Sequence, residues 1–393
     1  VWQDRRTADI CTRMKAAGHE AMVTGKTGLL LDPYFSASKI GWALTNWPAL
    51  RAAGDALAAG TVESYLIFRL TGGLHISDAS NASRTSLMDI DRGCWDDELL
   101  ALFDVKASIL PQITDNLGHF DTCDPALFGL ALPICGLAGD QQAATIGQGC
   151  LEPGQSKATY GTGAFILSVT GTQRQHSAHR LLSTIGWQQD GVRHYALEGS
   201  IFVAGSLIKW LRDTLGLIAS AAESEALARD VADNGGVYLV PAHSGLGAPH
   251  WNPHVRGQIS GLSLGSAKAH IVRAALEAMA YQTHDLQSAF AADGAPWSEL
   301  RIDGGMSVND WMAQDLADIL QLPVIRPDFV ETTAKGAAML AAVGCGIYSS
   351  LQDAAAGMIG GCSTFMPAMS ESERTKRLTG WQAALAGVLM EQE

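Results

Sequence analysis

Three features are scarce in this 393-residue sequence: basic residues, paired cysteines and long apolar runs. Lys and Arg number 27 against 40 Asp and Glu, so the formal net charge is −13, which argues against nucleic-acid binding because no basic patch balances it. The seven cysteines form no C-x-x-C pair, which argues against a zinc site or a disulfide framework and fits a cytoplasmic protein. No apolar run approaches membrane-spanning length, and no signal peptide is visible.

The length and composition are those of an α/β protein with two to three domains and a sizeable core. The acidic balance leaves ATP binding open, because local glycine turns and helix N-termini hold phosphate groups whatever the net charge of the chain.

An apolar run at residues 132–138 ends in a Gly-Asp step at 139–140. This pattern predicts a buried strand that delivers the Asp140 carboxylate to its carboxyl end, where open α/β sheets place their chemistry. The alternative is that Asp140 only caps a helix that begins at Gln141.

Residues 157–167 predict two strands joined by the tight turn Gly-Thr-Gly at 161–163. Such a turn exposes N–H groups and the Thr162 hydroxyl, which can hold phosphate oxygens, although most Gly-x-Gly hairpins bind no ligand. A carboxylate able to accept a proton, followed closely by a phosphate-holding turn, favours phosphoryl transfer to a hydroxyl.

Three motifs carry a resemblance to the FGGY family of sugar and polyol kinases: GDQQAA at 139–144, TYGTG at 159–163 and YALEGSIF at 195–202. The resemblance covers essentially the whole chain, and several motifs are similar to those of the members that phosphorylate glycerol. It implies an α/β fold with two actin-like domains, of ribonuclease-H-like topology, around a nucleotide cleft.

The same resemblance implies a domain division. We expect residues 1–148 to form the substrate-side, N-terminal domain and residues 149–393 the nucleotide-side, C-terminal domain, because glycines and Pro153 interrupt the pattern near 148–154. The first residues resemble a segment well inside the family's first domain, and no Asp-x-Gly-Thr-Thr loop or Asn-Gln-Arg-Glu segment is present. We therefore expect a truncated first domain and little activity from this chain alone.

The family resemblance also implies an activity, the ATP-dependent phosphorylation of glycerol to sn-glycerol 3-phosphate, with Asp140 as general base. The residues expected to contact the substrate are Trp2, Tyr34, Asp140, Gln141 and Phe202. Those expected to contact the nucleotide are Thr162, Gly205, Gly305 and Asn309. Mg²⁺ is expected to bridge phosphate oxygens largely through water, so no protein ligand to the metal is predicted.

Several of these residues have a purely structural alternative. Tyr34 can be a half-buried packing aromatic, and Trp2 can be a core residue. Gly305 can belong to an ordinary strand-to-helix turn, in which Ser307 and Asp310 form a capping box.

Two further segments predict support for the cleft rather than ligand contacts. DASNASRT at 78–85 predicts a polar loop that braces the cleft, in which Arg84 makes a structural pair. The small residues at 331–338 predict tight helix packing.

Two other functions remain open at this point: a kinase of another polyol or of a ketose in the same family, and a non-catalytic nucleotide-binding actin-like module. The expected partners are glycerol and ATP, with no nucleic acid, no membrane span and a possible homo-oligomer.

Hydrophobic periodicity outlines the second part of the chain. It predicts strands near 156–160, 163–170, 192–198, 237–241, 300–303 and 324–326, a helix from about Ala204, a long helix over 269–290, and helices from Ser307 and Thr332.

Overall fold

The computed structural model describes residues 4–252 and 254–390. The first part of the chain contains helices α1 (Ala8–Ala16), α2 (Glu20–Thr27), α3 (Ser36–Asn46), α4 (Pro48–Ala53), α5 (Val62–Thr71), α6 (Ala79–Ala82), α7 (Asp97–Phe103), α8 (Pro125–Phe128) and α9 (Asp140–Gly147). Its strands are short: β1 (Ile76–Asp78), β2 (Met88–Asp89), β3 (Cys94–Trp95), β4 (Gln112–Thr114), β5 (Leu117–Thr122) and β6 (Pro133–Gly136).

The second part has longer strands. These are β7 (Gln155–Tyr160), β8 (Ala164–Gly171), β9 (Leu182–Gln189), β10 (Val192–Ile201), β11 (Tyr238–Val240), β12 (Gln258–Ser260), β13 (Glu299–Asp303), β14 (Val324–Pro327) and β15 (Cys362–Phe365). The helices are α10 (Gly205–Asp213), α11 (Glu223–Asp230), α12 (Lys268–Ala292), α13 (Asp310–Leu320), α14 (Thr332–Gly344), α15 (Leu351–Met358) and α16 (Glu371–Met390).

A seven-stranded mixed sheet organises the second part, in the order β15-β14-β13-β7-β8-β10-β9. Strands β14, β13 and β7 are parallel, whereas β8, β10 and β9 continue antiparallel from β7. Side chains from α10, α12, α13 and α16 share one buried cluster with β7 and β10, and those of α9, α14 and α15 share another with β8 and β9. The predicted α/β fold class is confirmed.

The alternation of strands and helices follows the sequence pattern, including the 25-residue helix α12. Strands β12 and β15 and helices α11, α15 and α16 have no counterpart in the prediction, and neither does strand β9. Its segment, LSTIGWQQ, carries polar residues and Gly186 among its apolar ones, and it lies at the edge of the sheet against β10 alone. No helix in the described part of the chain is both long enough and apolar enough to cross a membrane.

The expectation of a buried strand over 132–138 is wrong in extent and burial. Strand β6 has four residues, of which only Cys135 is buried, and Leu132 before it is 44% exposed. Among the described strands β6 pairs only with β5, and its backbone at Gly136 lies against α14. One covered face is too little to bury the whole run.

The tight packing predicted for 331–338 is confirmed at the contact of α14 with α9. A Cβ atom at Gly336 would lie 1.7 Å from the Ala143 carbonyl oxygen, and one at Gly147 would lie 2.0 Å from the Thr332 carbonyl oxygen. The two backbones touch, so neither position accommodates a side chain.

Candidate active site

Asp140 is the first residue of α9, and Gly139 is its N-cap. The carboxylate is exposed, and its Oδ1 accepts a hydrogen bond from the Gln141 amide at 2.8 Å. A carboxylate in this position benefits from the positive end of the helix dipole. Strand β6 ends four residues before Asp140, so the strand leads to the carboxylate and the helix holds it in place. The helix begins one residue before the predicted Gln141.

Residues 78–85 brace the start of α9, as predicted, but they form the end of β1, the short helix α6 and a turn rather than a polar loop. The Ser80 hydroxyl accepts a hydrogen bond from the Gly139 amide at 3.0 Å. Asn116 donates to the Asp78 carboxylate at 2.7 Å and to the Leu137 carbonyl at 2.9 Å. These bonds tie residues 137–139 to β1, to α6 and to the residue before β5, so the start of α9 is held by a hydrogen-bond network rather than by a free loop.

Gln141 lies beside Asp140 and contacts a residue that the sequence did not single out. Lys157, on β7, has no exposed surface, and its Nζ donates to Gln141 Oε1 at 2.6 Å. Burial lowers the pKa of this ammonium below its usual range. The carboxylates of Asp303, Asp140 and Glu198 oppose that shift, which places Lys157 within the field of the Asp140 site.

Tyr34 is half-buried in the loop before α3, where its ring packs edge-on against Phe35 at 5.1 Å between centroids. Burial raises the pKa of its hydroxyl, the Glu198 charge adds to the rise, and the Arg84 guanidinium opposes it. The Asp140 charge also contributes to the rise in the pKa of Tyr34.

Arg84 makes the structural pair predicted for it, and its partner is Glu198. Arg84 Nη2 lies 2.9 Å from Glu198 Oε1, and the two side chains are 19% and 2% exposed. Glu198 was part of the YALEGSIF motif but was assigned no role. Arg84 Nη1 and Glu198 Oε2 are buried without a hydrogen-bond partner among the described residues.

Phe202 follows β10 directly and is 38% exposed. Its ring packs edge-to-face on Trp251 at 5.8 Å between centroids, so two aromatic rings form an apolar wall. Trp2, the other predicted wall residue, lies outside the described residues.

The predicted phosphate turn lies between β7 and β8, and its Thr162 is exposed. Its carbonyls bind the start of α10: the Gly205 amide donates to the Gly161 carbonyl at 2.8 Å, and the Ala204 and Ser206 amides donate to the Thr162 carbonyl. A Cβ atom at Gly205 would lie 2.4 Å from the Gly161 oxygen, so only glycine permits this approach.

Gly305 lies at the same end of the sheet. The Met306 amide donates to the Tyr160 carbonyl at 3.1 Å, and Gly304, at φ +85°, packs on the Tyr160 backbone. Gly305 itself is exposed, and a Cβ atom there would meet nothing within 4 Å. The structure therefore brings Thr162, Gly205 and Gly305 together at the carboxyl end of β7 and β13.

The predicted capping box is wrong. Asn309, not Ser307, caps α13: its Oδ1 accepts from the Met312 amide at 2.9 Å, while the Ser307 hydroxyl donates to the Gly304 carbonyl. Asn309 is 8% exposed, and its Nδ2 faces the Ser224 hydroxyl at 3.4 Å. Its amide is thus engaged within the protein, in contrast to the open Gly305.

No cluster of three or more His, Cys, Asp or Glu side chains suited to a metal ion occurs in residues 4–252 and 254–390. The donors around the cleft are single carboxylates, a buried ammonium and backbone amides. This set suits a substrate that brings its own metal-binding oxygens, as a nucleoside triphosphate does.

Models of both domains of one family match the chain: the N-terminal domain of the FGGY family of carbohydrate kinases matches residues 1–147, and the C-terminal domain matches residues 156–345. The chain belongs to the FGGY family of carbohydrate kinases.

Within that family, the relatives it resembles are glycerol kinases. It is 53% identical to the glycerol kinase of Methylobacterium nodulans, over 99% of this chain and 79% of that protein. It is 51% identical to glycerol kinase 1 of Pseudomonas aeruginosa, over 100% of this chain and 80% of that protein. These matches lend no support to the expectation of low activity.

Solved structures agree on the fold. A glycerol kinase of Plasmodium falciparum, crystallised with ADP, is 35% identical with a TM-score of 0.95, over 99% of this chain and 79% of that one. A xylulose kinase of Lactobacillus acidophilus is 21% identical with a TM-score of 0.88, over 99% of this chain and 79% of that one, and shares the fold.

Proposed function

We propose that this chain transfers the γ-phosphoryl group of ATP to a terminal hydroxyl of glycerol, giving sn-glycerol 3-phosphate. Relatives about half identical over nearly the whole chain are glycerol kinases, and this similarity supports glycerol over a ketose as the acceptor. The observation that carries the proposal within the structure is the exposed Asp140 carboxylate on the first turn of α9, beside Gln141 and near the Tyr34 hydroxyl.

In this proposal Asp140 takes the proton of the attacking hydroxyl, an assistance worth about 10²–10⁴-fold. Gln141 and Tyr34 hold the remaining hydroxyls, and Phe202 covers the carbon edge together with Trp2. An apolar wall with a few convergent polar groups is what a small polyol needs from its pocket.

On the nucleotide side, Thr162, Gly205, Gly305 and Asn309 are proposed to hold ATP. Gly305 is exposed, with open space where a Cβ atom would stand, which suits the close approach of phosphate and ribose oxygens. Mg²⁺ would be held mainly by the phosphates and water, where it neutralises charge on the transferred group. The proposed domain division at residues 148 and 149 is supported by the irregular segment between the end of α9 and the start of β7. We also propose that the protein is cytoplasmic.

The test is coupled ADP release on a panel of polyols and ketoses, with Asp140→Asn as the central variant. We expect glycerol to be the preferred acceptor and kcat to fall about 10²–10⁴-fold in the variant, while ADP binding measured by calorimetry is retained. Asp97→Asn is the matched control, because Asp97 is also an exposed first residue of a helix, in α7. A loss below tenfold at Asp140 would mean that another group is the base.

A further inference from the structure

Lys157 is a buried cation whose hydrogen-bond partner is a neutral amide. It has no exposed surface, and no ion pair within 4.0 Å is found for it among the described residues. Its Nζ donates a hydrogen bond to a neutral group, Gln141 Oε1, at 2.6 Å. Burying an ammonium on a central strand without a close carboxylate costs stability, so stability gives no reason for a charge at this position.

The chemistry of an ammonium group fixes the orientation of the amide that it contacts. A protonated lysine only donates hydrogen bonds, so the carbonyl oxygen of Gln141 must face Lys157. The NH₂ group of Gln141 is then directed away from β7. No acceptor for Nε2 occurs among the described residues, and Gln141 is partly exposed beside the open Asp140 carboxylate.

We propose that Lys157 is a positioning residue that locks Gln141 as a hydrogen-bond donor to a substrate hydroxyl; this inference rests on the proposed function. A hydroxyl that accepts from Gln141 must direct its own proton elsewhere. The neighbouring Asp140 carboxylate is an acceptor suited to that proton. The lock therefore selects a hydroxyl oriented for proton removal, and a substrate without a hydroxyl at that position gains nothing from it.

The experiment is a double-mutant cycle on Lys157→Met and Gln141→Ala, with glycerol and ATP saturation curves for each protein. We expect Lys157→Met to raise KM for glycerol about tenfold and KM for ATP less than twofold, because a freely turning amide loses one oriented hydrogen bond. In the Gln141→Ala background the same change should raise KM for glycerol less than twofold. A full tenfold rise in that background would show that Lys157 acts by another route and overturn the proposal.

Wild-type protein provides a second measurement that does not depend on the folding of Lys157→Met. Loss of the lysine proton lets the amine accept a hydrogen bond, which releases the amide. Burial lowers the Lys157 pKa, while the groups that oppose this are Asp303, Asp140, Glu198 and Cys150. KM for glycerol should therefore rise more at alkaline pH in the wild type than in Gln141→Ala, because any effect of Tyr34 titration is common to the two proteins.

Failure of the proposed function and failure of the Lys157 proposal give different results. A wild-type chain that phosphorylates no polyol refutes the proposed function itself. An active chain whose two substitutions add fully, or whose alkaline rise is equally large in Gln141→Ala, refutes the role of Lys157 alone.

Discussion

Replacing Glu198 with Gln should weaken both the fold and the use of glycerol. Glu198 is 2% exposed on β10, and its Oε1 accepts from Arg84 Nη2 at 2.9 Å. Arg84 opposes the pKa rise of the Tyr34 hydroxyl, so its guanidinium also lies against the proposed substrate residue. The substitution keeps an oxygen for Arg84 but removes the charge that compensates the guanidinium.

The expected loss of stability in Glu198→Gln depends on which interactions of Arg84 the amide retains. Breaking a buried ion pair by removing one partner costs about 3–5 kcal/mol. The retained amide oxygen and the 19% exposure of the Arg84 side chain reduce that cost, so we expect about 2–3 kcal/mol. With an unfolding entropy of about 2 cal/mol/K per residue, a chain of this length should lose about 2–4 °C in its thermal midpoint. KM for glycerol should rise several-fold, since Tyr34 loses its fixed neighbour.

Thermal unfolding and glycerol saturation kinetics measure the two effects. Glu299→Gln is the matched control, because the Glu299–Arg301 pair lies within β13 at 2.7 Å and should leave KM for glycerol unchanged. The double variant Arg84→Met with Glu198→Gln should lose less than the sum of its single changes. A midpoint within 1 °C and a KM within about twofold of wild type would refute the reasoning, since a buried charge cannot lose its partner at no cost.

Three further predictions concern other parts of the molecule. Tyr34→Phe should raise the activation free energy for glycerol phosphorylation by about 1–3 kcal/mol, measured as a lower kcat/KM, because a polar partner in the pocket is left unpaired. An unchanged kcat/KM would make Tyr34 a packing residue. Gly336→Ala should destabilise the chain by about 1–3 kcal/mol in thermal unfolding, because its methyl group would collide with the Ala143 carbonyl, and a neutral result would contradict that contact. Burial raises the pKa of Asp285 to about 7, so its ionisation lowers the stability of the fold as pH rises from about 4 to 7. Asp285→Asn keeps an acceptor for the Trp381 indole N–H. This variant should therefore raise the thermal midpoint at pH 8 but not at pH 4. An equal shift at both pH values would assign the gain to something other than charge.

The sequence predicted most of the second part of the fold, because strand and helix periodicity are local signals. The helix α12 and the strands β7, β8 and β13 carry continuous patterns and lie where those patterns place them. Strand β9 could not be predicted because polar and apolar side chains do not alternate regularly along it. Its position in the sheet is set by pairing with β10.

The parts of the site that could be predicted are those whose geometry depends on one short motif. The Gly-Asp step and the Gly-Thr-Gly turn each form within a few residues, so their local geometry follows from the sequence. The contacts of Lys157 with Gln141 and of Arg84 with Glu198 join side chains 16 and 114 residues apart, and no local pattern encodes such distances. At Asn309 the sequence is ambiguous instead, because an asparagine that could bind a ligand is equally suited to cap a helix.

Three independent contacts fix the position of α9, and together they give the exposed carboxylate of Asp140, the proposed base, a defined place. The Gly139 amide is bound by Ser80 from the first part of the chain. Gln141, the next residue, is bound by Lys157 from the central sheet. The far end of α9 is pinned by the glycine contact with α14, which leaves no room for sliding. An exposed side chain on a mobile loop would have to be ordered at each turnover, whereas one on a helix held at both ends has that cost removed by folding. Phosphoryl transfer depends almost entirely on positioning and charge, so the rigid placement of α9 is what the fold contributes to the proposed reaction.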